Sequence, residues 1–433
     1  MPSSRARRTA ARRSRSAAVT PHSVPPTAQA PNPRRGSEVK KRSGGPTSVR
    51  APGCICTAPL GVAGGHQLRR LDDLGTMTAG HELLHLDDLH TSSFARIQSG
   101  RPFGESYGLP SHPSTGNSQR LMISIHALLT ENALADEFVS AFHARRLPEK
   151  FFYWFPLSVR AWLALCSDGA YRNFVRSRSL IARSRAELAR LFPVAPLEVV
   201  SLGAGQGDKD LLLLEALRER GARVSYVPVD TSQALLEMAC AGALAAGFPA
   251  QGIKADFTLP THLKALAAEP EAPPRLVLLI GNTLGAFDPI AEARELTRLL
   301  RPGDALLVDG EVYAGDATVA GYDNPLNRRF AWAPLNAVGI RDTDGELVFE
   351  AADDTRLPGL HLIPKHFRAA RDVEALLGGE ALRLARGERL AMNHSYKYAA
   401  DTFLRILSEA GLAVRWQGRS DDERFLMVLA SPQ

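Results

Sequence analysis

The sequence has few cysteines and no long apolar segment, and both absences narrow the class of protein. The chain contains four cysteines, and only Cys54 and Cys56 are close together. A single C-x-C lacks the second pair that a zinc site needs, and scattered cysteines suit a reducing compartment better than a disulfide framework. No apolar run reaches the length of a membrane span. We therefore expect a cytoplasmic protein with no membrane partner and no bound metal.

Acidic and aromatic residues are nearly absent from the first 70 residues. This stretch has a net charge of +13, with Glu38 as its one acid, which leaves about −7 for the rest of the chain. Ser, Pro, Ala and Arg dominate without hydrophobic periodicity, so we predict a disordered basic head and lead-in over residues 1–117. The head resembles a transit peptide. The alternative is an over-extended start, with initiation at Met77 or Met122. The sequence pI of about 9.2 is thus a property of the head, and nucleic acid is not an expected partner.

One motif in the lead-in suggests metal chemistry. His81, Glu82 and His85 form an H-E-x-x-H pattern, which on a helix places two His on one face for zinc, with Glu as general base. The surrounding stretch offers no apolar core, and neither His90 nor a downstream glycine fits the longer metzincin pattern. We therefore do not predict a zinc hydrolase.

From Leu197 onward, short apolar segments alternate with amphipathic helical segments. This alternation is typical of an α/β fold, with a mostly parallel sheet and helices on both faces. The predicted strands are Leu197–Leu202, Val224–Val229, Ile253–Ala255, Leu276–Ile280 and Ala305–Val308. The predicted helices between them are Asp208–Arg220, Ser232–Ala246 and Ile290–Leu300.

The rest of the chain suggests a split domain. Residues 118–195 show helical spacing and form a predicted N-terminal helical region. Residues 312–395 look irregular, with short strand-like pieces such as Glu346–Glu350, and we interpret them as an inserted region. A helix at Ala399–Ala410 and strands at Ala413–Trp416 and Phe425–Leu429 would then complete the first sheet. The sheet domain accordingly comprises residues 196–311 and 396–433.

A glycine-rich loop follows the first predicted strand. Gly203, Gly205 and Gly207 lie between that strand and a helix, where glycine lets the backbone turn sharply and approach a ligand closely. The spacing G-x-G-x-G followed by Asp208 differs from the dinucleotide pattern G-x-G-x-x-G and favours S-adenosylmethionine over NAD. A purely structural Gly-rich turn is the alternative.

Acids follow the next two strands. Asp230 ends the second strand, where a carboxylate can accept hydrogen bonds from both ribose hydroxyls; the alternative is an N-cap for the following helix. Asp256 and Phe257 follow the third strand and suit the amine and ring of an adenine. Three such features at the ends of successive strands converge where ligands bind in open α/β sheets. They predict a Rossmann-like sheet of the class I methyltransferase type.

Several further segments resemble one family, the histidine-specific S-adenosylmethionine-dependent methyltransferases. The resemblance covers residues from about Met122 to the C-terminus and includes a late Ser-x-Lys-Tyr segment. The segments are Lys150–Tyr153, Leu202–Lys209, Tyr226–Ser232, Leu279–Pro289, Gly321–Asp323, Leu326–Asn327 and Ser395–Tyr398. The resemblance implies α-amine methylation of an amino acid, with the inserted region binding the substrate.

The resemblance also implies roles for individual residues. It makes Tyr322 the substrate-binding and catalytic tyrosine and Ser395 a contact of the substrate imidazole. Tyr171 is the nearest match to a second substrate tyrosine, although an ungapped alignment lands on residue 170. Tyr153 and Lys209 are expected on the cofactor side, together with the glycines and acids above.

Two positions depart from the family pattern. Ala286 replaces an Asn that contacts the amino and carboxylate end of the substrate, and it cannot make that bond. Asn393 replaces a Glu that pairs with the imidazole; its amide can still bind a neutral ring by a hydrogen bond, but it supplies no charge. Losing a charge-assisted hydrogen bond costs about 1.5–3 kcal/mol, enough to alter the preference for histidine. We predict a monomeric N-methyltransferase for an amino-acid-like acceptor, histidine being the leading candidate. A different small amine, or a non-catalytic S-adenosylmethionine-binding protein, is the alternative.

Overall fold

The structure is a computed structural model that describes residues 122–169 and 171–433. Its largest sheet has eight strands, in the order β1-β4-β3-β2-β5-β6-β14-β13. Neighbouring strands from β1 to β6 pair in parallel, whereas β14 is antiparallel to β6 and β13 is antiparallel to β14. The strands are β1 (Ile125–Ala127), β2 (Pro196–Leu202), β3 (Arg223–Asp230), β4 (Gly252–Lys254), β5 (Arg275–Leu279), β6 (Ala305–Glu311), β13 (Leu412–Arg419) and β14 (Phe425–Pro432).

Helices cover both faces of this sheet. Side chains alternate along each strand, so Val199 and Leu278 face one core whereas Val200 and Leu279 face the other. The predicted α/β class is confirmed. The helices are α1 (Glu131–His143), α2 (Pro156–Ser167), α3 (Arg172–Arg190), α4 (Asp208–Glu219), α5 (Gln233–Ala245), α6 (Pro260–Ala265), α7 (Pro289–Leu299), α8 (Asp316–Tyr322), α9 (Pro325–Ala337) and α10 (Ala400–Glu409).

The inserted region is regular, which corrects the sequence interpretation. It contains α8, α9 and an antiparallel sheet of order β12-β9-β7, with β8 also paired to β9 and a separate β10-β11 hairpin. Its sequence looked irregular because half-buried strands of unequal length give a weak alternation. The strands are β7 (Gly345–Phe349), β8 (Ala352–Asp353), β9 (Leu360–Ala369), β10 (Val373–Leu377), β11 (Glu380–Leu384) and β12 (Arg389–Tyr398).

Two predicted boundaries also differ from the structure. Strand β12 runs through the predicted junction at residue 395, so the chain returns to the large sheet after Tyr398. The N-terminal region, predicted as helical, also supplies the edge strand β1, which pairs with β4. A strand of three residues is too short for a periodic signal.

Several predictions fall on residues that the structure does not describe. These are the disordered basic head and lead-in over residues 1–117 and the zinc-type motif at His81, Glu82 and His85. Over the described residues, no helix is both long and apolar enough to cross a membrane.

A buried hydrogen bond joins α4 to β3. The Tyr226 hydroxyl donates to Asp210 Oδ2 at 2.6 Å, and both side chains are buried. Burial raises the pKa of Asp210 from 3.8 to about 6, despite the Tyr226 bond. The pKa of Asp210 is higher in the folded state than in the unfolded chain, so the folded state binds more protons between pH 3.8 and about pH 6. The stability of the fold therefore falls as the pH rises through this range, and above about pH 6 Asp210 is ionised.

We predict that Tyr226→Phe lowers the free energy of unfolding by about 1–3 kcal/mol near neutral pH, because the ionised Asp210 loses its buried donor. The loss should shrink at about pH 5, where Asp210 is protonated. Urea unfolding at both pH values measures it. Tyr398→Phe is the matched control, since the buried Tyr398 hydroxyl has no partner among the described residues. Equal losses in the two variants would contradict the prediction.

Candidate active site

The predicted glycine-rich loop connects β2 to α4 in a conformation that needs glycine. Gly203, Gly205 and Gly207 have φ values of 67°, 59° and 80°, in the left-handed region that favours residues without a Cβ. A Cβ on Gly207 would also lie 3.2 Å from Ala239 Cα of the neighbouring helix. The loop therefore presents bare backbone at the N-terminus of α4, beside the carboxyl ends of the parallel strands.

Asp230 lies beside this loop, as predicted. Its Oδ2 accepts from the Gly205 backbone N–H at 2.9 Å, and its Oδ1 accepts from the Ser232 N–H at 2.9 Å. Burial raises the pKa of Asp230. Each carboxylate oxygen can accept a second hydrogen bond. Asp230 thus keeps acceptor capacity for the two ribose hydroxyls of a nucleoside while also shaping the loop. The N-cap of α5 is Ser232, so the alternative role of Asp230 as that N-cap does not hold.

Asp256 and Phe257 follow β4, which lies beyond β3 on the same side of the glycine loop as Asp230. Asp256 Oδ2 forms an ion pair with Lys150 Nζ at 2.5 Å, and Thr258 donates to Oδ1. Burial opposes ionisation, but Lys150 and Thr258 together hold the pKa of Asp256 below its usual value. Phe257 is buried edge-to-face against Phe287, with ring centroids 5.3 Å apart. Asp256 and Phe257 thus lie side by side after β4, and their contact with an adenine stays a prediction.

Lys209 and Tyr153 occupy different parts of the site. Lys209 Nζ donates to the Ile280 carbonyl at 3.3 Å, beside the glycine loop. The Tyr153 hydroxyl donates to Glu149 at 2.9 Å, and its ring packs on Trp162 and Phe330. The carboxylate of Glu149 therefore accepts hydrogen bonds from both Tyr153 and Asn393. Its cofactor contact remains a prediction.

The two residues with substrate roles from the resemblance meet around a buried lysine. Lys397 Nζ donates to the Tyr322 hydroxyl at 2.5 Å and to Ser395 Oγ at 2.6 Å, and it pairs with Glu311 at 3.0 Å. Lys397 is fully buried, which lowers its pKa, while Glu311 favours its charged form. The ammonium uses all three N–H donors within the protein.

Polar side chains from other elements complete this cluster. Asn173 of α3 donates to Glu311 Oε2 at 2.7 Å and to Tyr322 at 3.3 Å. Asn282 donates to Ser395 at 3.1 Å and accepts from the Glu311 backbone N–H at 2.9 Å. Asn282 has a φ of 60°, and its backbone N–H donates to Asp309 at 2.7 Å. The loop after β5 is thereby joined to both sheets.

Tyr171 and Ala286 lie at the same end of the sheet. Tyr171 is the N-cap of α3 and packs on Trp162, and the electrostatic influence of Tyr322 adds to burial in raising the Tyr171 pKa. Ala286 ends the 3₁₀ turn Thr283–Ala286 after β5. Asn282 at the start of this turn donates to Ser395, whereas Ala286 offers no side-chain hydrogen bond.

Asn393 lies between the buried Lys365 and the half-buried Glu149, two residues that carry no strong sequence signal. Its Oδ1 accepts from Lys365 Nζ at 2.9 Å, and its Nδ2 donates to Glu149 Oε2 at 2.6 Å. Burial lowers the pKa of Lys365 to about 8 and raises the pKa of Glu149. Each end of the Asn393 amide keeps one further hydrogen-bonding position, so its contact with an acceptor ring stays a prediction.

Among the residues that the sequence did not mark, Lys397 carries a weak signal. Asn393, Ser395 and Lys397 alternate along β12, so that one face of a strand supplies all three. This period of two would have marked Lys397 from the Ser-x-Lys segment. Lys365 is a lone buried lysine in β9. Glu149, Lys150, Asn173, Asn282 and Glu311 carried no pattern of their own.

A glycine loop at a helix N-terminus, an acid after the next strand and an acid–aromatic pair after the third define a class I methyltransferase site on a Rossmann-like sheet. The family model for the SAM-dependent histidine-specific methyltransferases matches residues 133–432. The chain belongs to this family, and the protein is an S-adenosylmethionine-dependent methyltransferase. The predicted family and cofactor are confirmed.

Three relatives that match the chain at modest identity are also named as N-methyltransferases. The chain is 27% identical to a histidine N-alpha-methyltransferase of Mycolicibacterium smegmatis over 251 residues, which is 55% of this chain and 75% of that protein. It is 33% identical to the protein of the same name from Mycobacterium tuberculosis over 155 residues, or 35% of this chain and 47% of that protein. An N-methyltransferase of Aspergillus fumigatus, fsqC, is 25% identical over 226 residues, or 49% and 60% of the two chains.

We predict that Asp230→Asn weakens binding of S-adenosylhomocysteine by about tenfold or more. An amide has one acceptor atom, so it cannot keep the Gly205 and Ser232 bonds and also accept from two ribose hydroxyls. Isothermal titration of the full chain measures the affinity. Asp372→Asn, at an exposed position far along the inserted region, is the control. An unchanged affinity in Asp230→Asn would remove Asp230 from the cofactor site.

Proposed function

We propose that this methyltransferase methylates the α-amine of an amino acid, with histidine as the leading candidate acceptor. The observation that carries the proposal is the buried cluster of Tyr322, Ser395, Lys397 and Glu311 at the carboxyl ends of the strands. It lies at the same sheet edge as the glycine loop. The names of two relatives support a histidine acceptor.

The residues around this cluster have simple chemical tasks. Bound S-adenosylmethionine supplies an electrophilic methyl group on a sulfonium. The chain must hold a neutral amine about 3–3.5 Å from that methyl and keep water away. The α-amine of a peptide titrates near 8, and the adjacent carboxylate of a free amino acid raises that pKa further, so the acceptor amine must release its proton to solvent before the transfer.

Tyr322 and Ser395 are well placed to fix the acceptor. Tyr322 is only 8% exposed and Ser395 7%. Lys397 donates to both hydroxyls, so their oxygens are held in one position. A rigid pair of this kind fixes the amino acid without taking part in the proton balance of the reaction. The proposed role of Tyr322 is therefore orientation of the acceptor amino acid.

A second amine acceptor is the alternative. Asn393 places an amide where the family has a carboxylate, and Ala286 removes a contact at the amino-acid end. One relative is named only as an N-methyltransferase, which fits a broader range of acceptors in the family. A screen of free amino acids for S-adenosylhomocysteine release, with histidine beside tyrosine, tryptophan and small amines, separates the two proposals.

We predict that Tyr322→Phe lowers kcat/KM for the accepted amino acid by about 10- to 100-fold, since the acceptor loses a fixed hydroxyl. Binding of S-adenosylhomocysteine should stay unchanged, because the cofactor residues lie elsewhere. Initial rates and isothermal titration measure the two effects. Tyr313→Phe is the control, since Tyr313 stacks on His361 outside the cluster. Unchanged turnover in Tyr322→Phe would exclude the proposed role.

A further inference from the structure

Two buried lysines flank the ring of Tyr322, and they differ in how well their charges are satisfied. Lys397 Nζ lies 4.7 Å from the ring centroid and Lys365 Nζ lies 5.5 Å from it. Lys397 has two hydroxyl partners and an ion pair with Glu311. Lys365, only 6% exposed, has a single hydrogen bond to Asn393 among the described residues and no ion pair within them.

Within residues 122–169 and 171–433, Lys365 therefore has no partner for two of its three N–H donors. A buried ammonium is costly unless it is paired and hydrogen-bonded. The charge of Glu149 favours the charged form of Lys365, but the amide of Asn393 lies between the two side chains and bonds to each of them. Glu149 is itself held by Asn393 and Tyr153. The arrangement leaves one cation at the site with unused donor capacity.

The hydroxyls of Ser395 and Tyr322 can also donate to a ligand, and the Tyr322 ring centroid lies 5.5 Å from Lys365 Nζ. Ser395 Oγ accepts from Lys397 and from Asn282, so both of its lone pairs are used. Its proton faces only the Tyr322 oxygen, at 3.2 Å. This distance is long for a hydroxyl–hydroxyl hydrogen bond, so the Ser395 proton is available to a better acceptor.

The same count applies to Tyr322. Its oxygen accepts from Lys397 and, at 3.3 Å, from Asn173. Its own proton has only Glu311 Oε2, at 3.4 Å. Tyr322 and Ser395 thus offer O–H groups, and Lys365 offers N–H groups. A carboxylate, with four lone-pair positions and a negative charge, is the amino-acid group that can accept from several such donors.

We infer that Lys365 is a specificity-determining residue that binds a carboxylate of the acceptor, with the Ser395 and Tyr322 hydroxyls as further donors. This inference rests on the proposed function, since it concerns the same acceptor site. The carboxylate is either the α-carboxylate of the amino acid or one on its side chain. The first source would replace the contact missing at Ala286; the second would make the acceptor a dicarboxylic amino acid.

Isothermal titration of the full chain, saturated with S-adenosylhomocysteine, tests the inference with two pairs of probes. L-Histidine and histamine differ in the α-carboxylate, and L-glutamate and L-glutamine differ in the side-chain carboxylate. We expect the carboxylate member of at least one pair to bind about tenfold tighter or more than its partner. The pair that shows the difference identifies the source of the carboxylate.

Variants of Lys365 attribute this difference to the residue. Lys365→Met keeps the length of the side chain without its charge and should abolish the preference, whereas Lys365→Arg should keep most of it. Arg368→Met removes an exposed cation from the same strand and should change nothing. Far-UV circular dichroism and melting curves confirm that the variants are folded.

Three results would overturn the inference: equal binding within both pairs, an unchanged preference in Lys365→Met, or no binding of either carboxylate probe. Release of S-adenosylhomocysteine from S-adenosylmethionine is measured in parallel with the same probes. A probe that binds through Lys365 but is never methylated contradicts the proposed function alone. Methylation that does not depend on Lys365 contradicts the inference alone.

Discussion

The buried ion pair between Lys397 and Glu311 is the interaction on which the acceptor site depends. Glu311 ends β6 of the large sheet, whereas Lys397 belongs to β12 of the inserted sheet. Both are almost completely buried. Removing one partner of such a pair leaves an uncompensated charge and typically costs about 3–5 kcal/mol. The pair therefore fixes the inserted sheet against the cofactor-binding sheet at the point where Tyr322 and Ser395 must be held.

The loop after β5 extends this constraint towards the cofactor side. Asp309 of β6 accepts from the backbone N–H groups of Gly281 and Asn282, at 2.7 Å each. Asn282 then donates to Ser395, while Lys209, next to the glycine loop, donates to the carbonyl of Ile280. Hydrogen bonds and the backbone of residues 280–282 thus link the helix that begins at the glycine loop to the Ser395 hydroxyl. Relative positions of this kind are what a displacement reaction requires.

A second link comes from the N-terminal region. In the 3₁₀ turn Glu149–Phe152, two adjacent residues serve different halves of the site. Lys150 pairs with Asp256 on the adenine side, and Glu149 accepts from Asn393 on the acceptor side. A shift of this turn would change both halves together. The N-terminal region therefore supplies side chains that contact both Asp256 and Asn393.

Residues that follow the parallel strands are easier to predict from sequence than the contacts within the cluster around Tyr322, for a physical reason. Asp230 and Asp256 follow apolar strands, and parallel strands bring their carboxyl ends to one edge, so spacing along the chain becomes proximity in space. The acceptor half depends on contacts between distant segments, such as Asn173 with Glu311 and Lys365 with Asn393. Local periodicity carries no information on such pairs. The resemblance pointed to Tyr322 and Ser395, but it could not show that Asn393 forms hydrogen bonds with both Lys365 and Glu149.

The position of the transferred methyl group tests the account most directly. Incubation of the full chain with methyl-deuterated S-adenosylmethionine and the best amino-acid acceptor, followed by fragmentation mass spectrometry, locates the label. The account predicts label on the α-nitrogen. Label on a side-chain nitrogen or oxygen, or no labelled product from any amino acid, would contradict it.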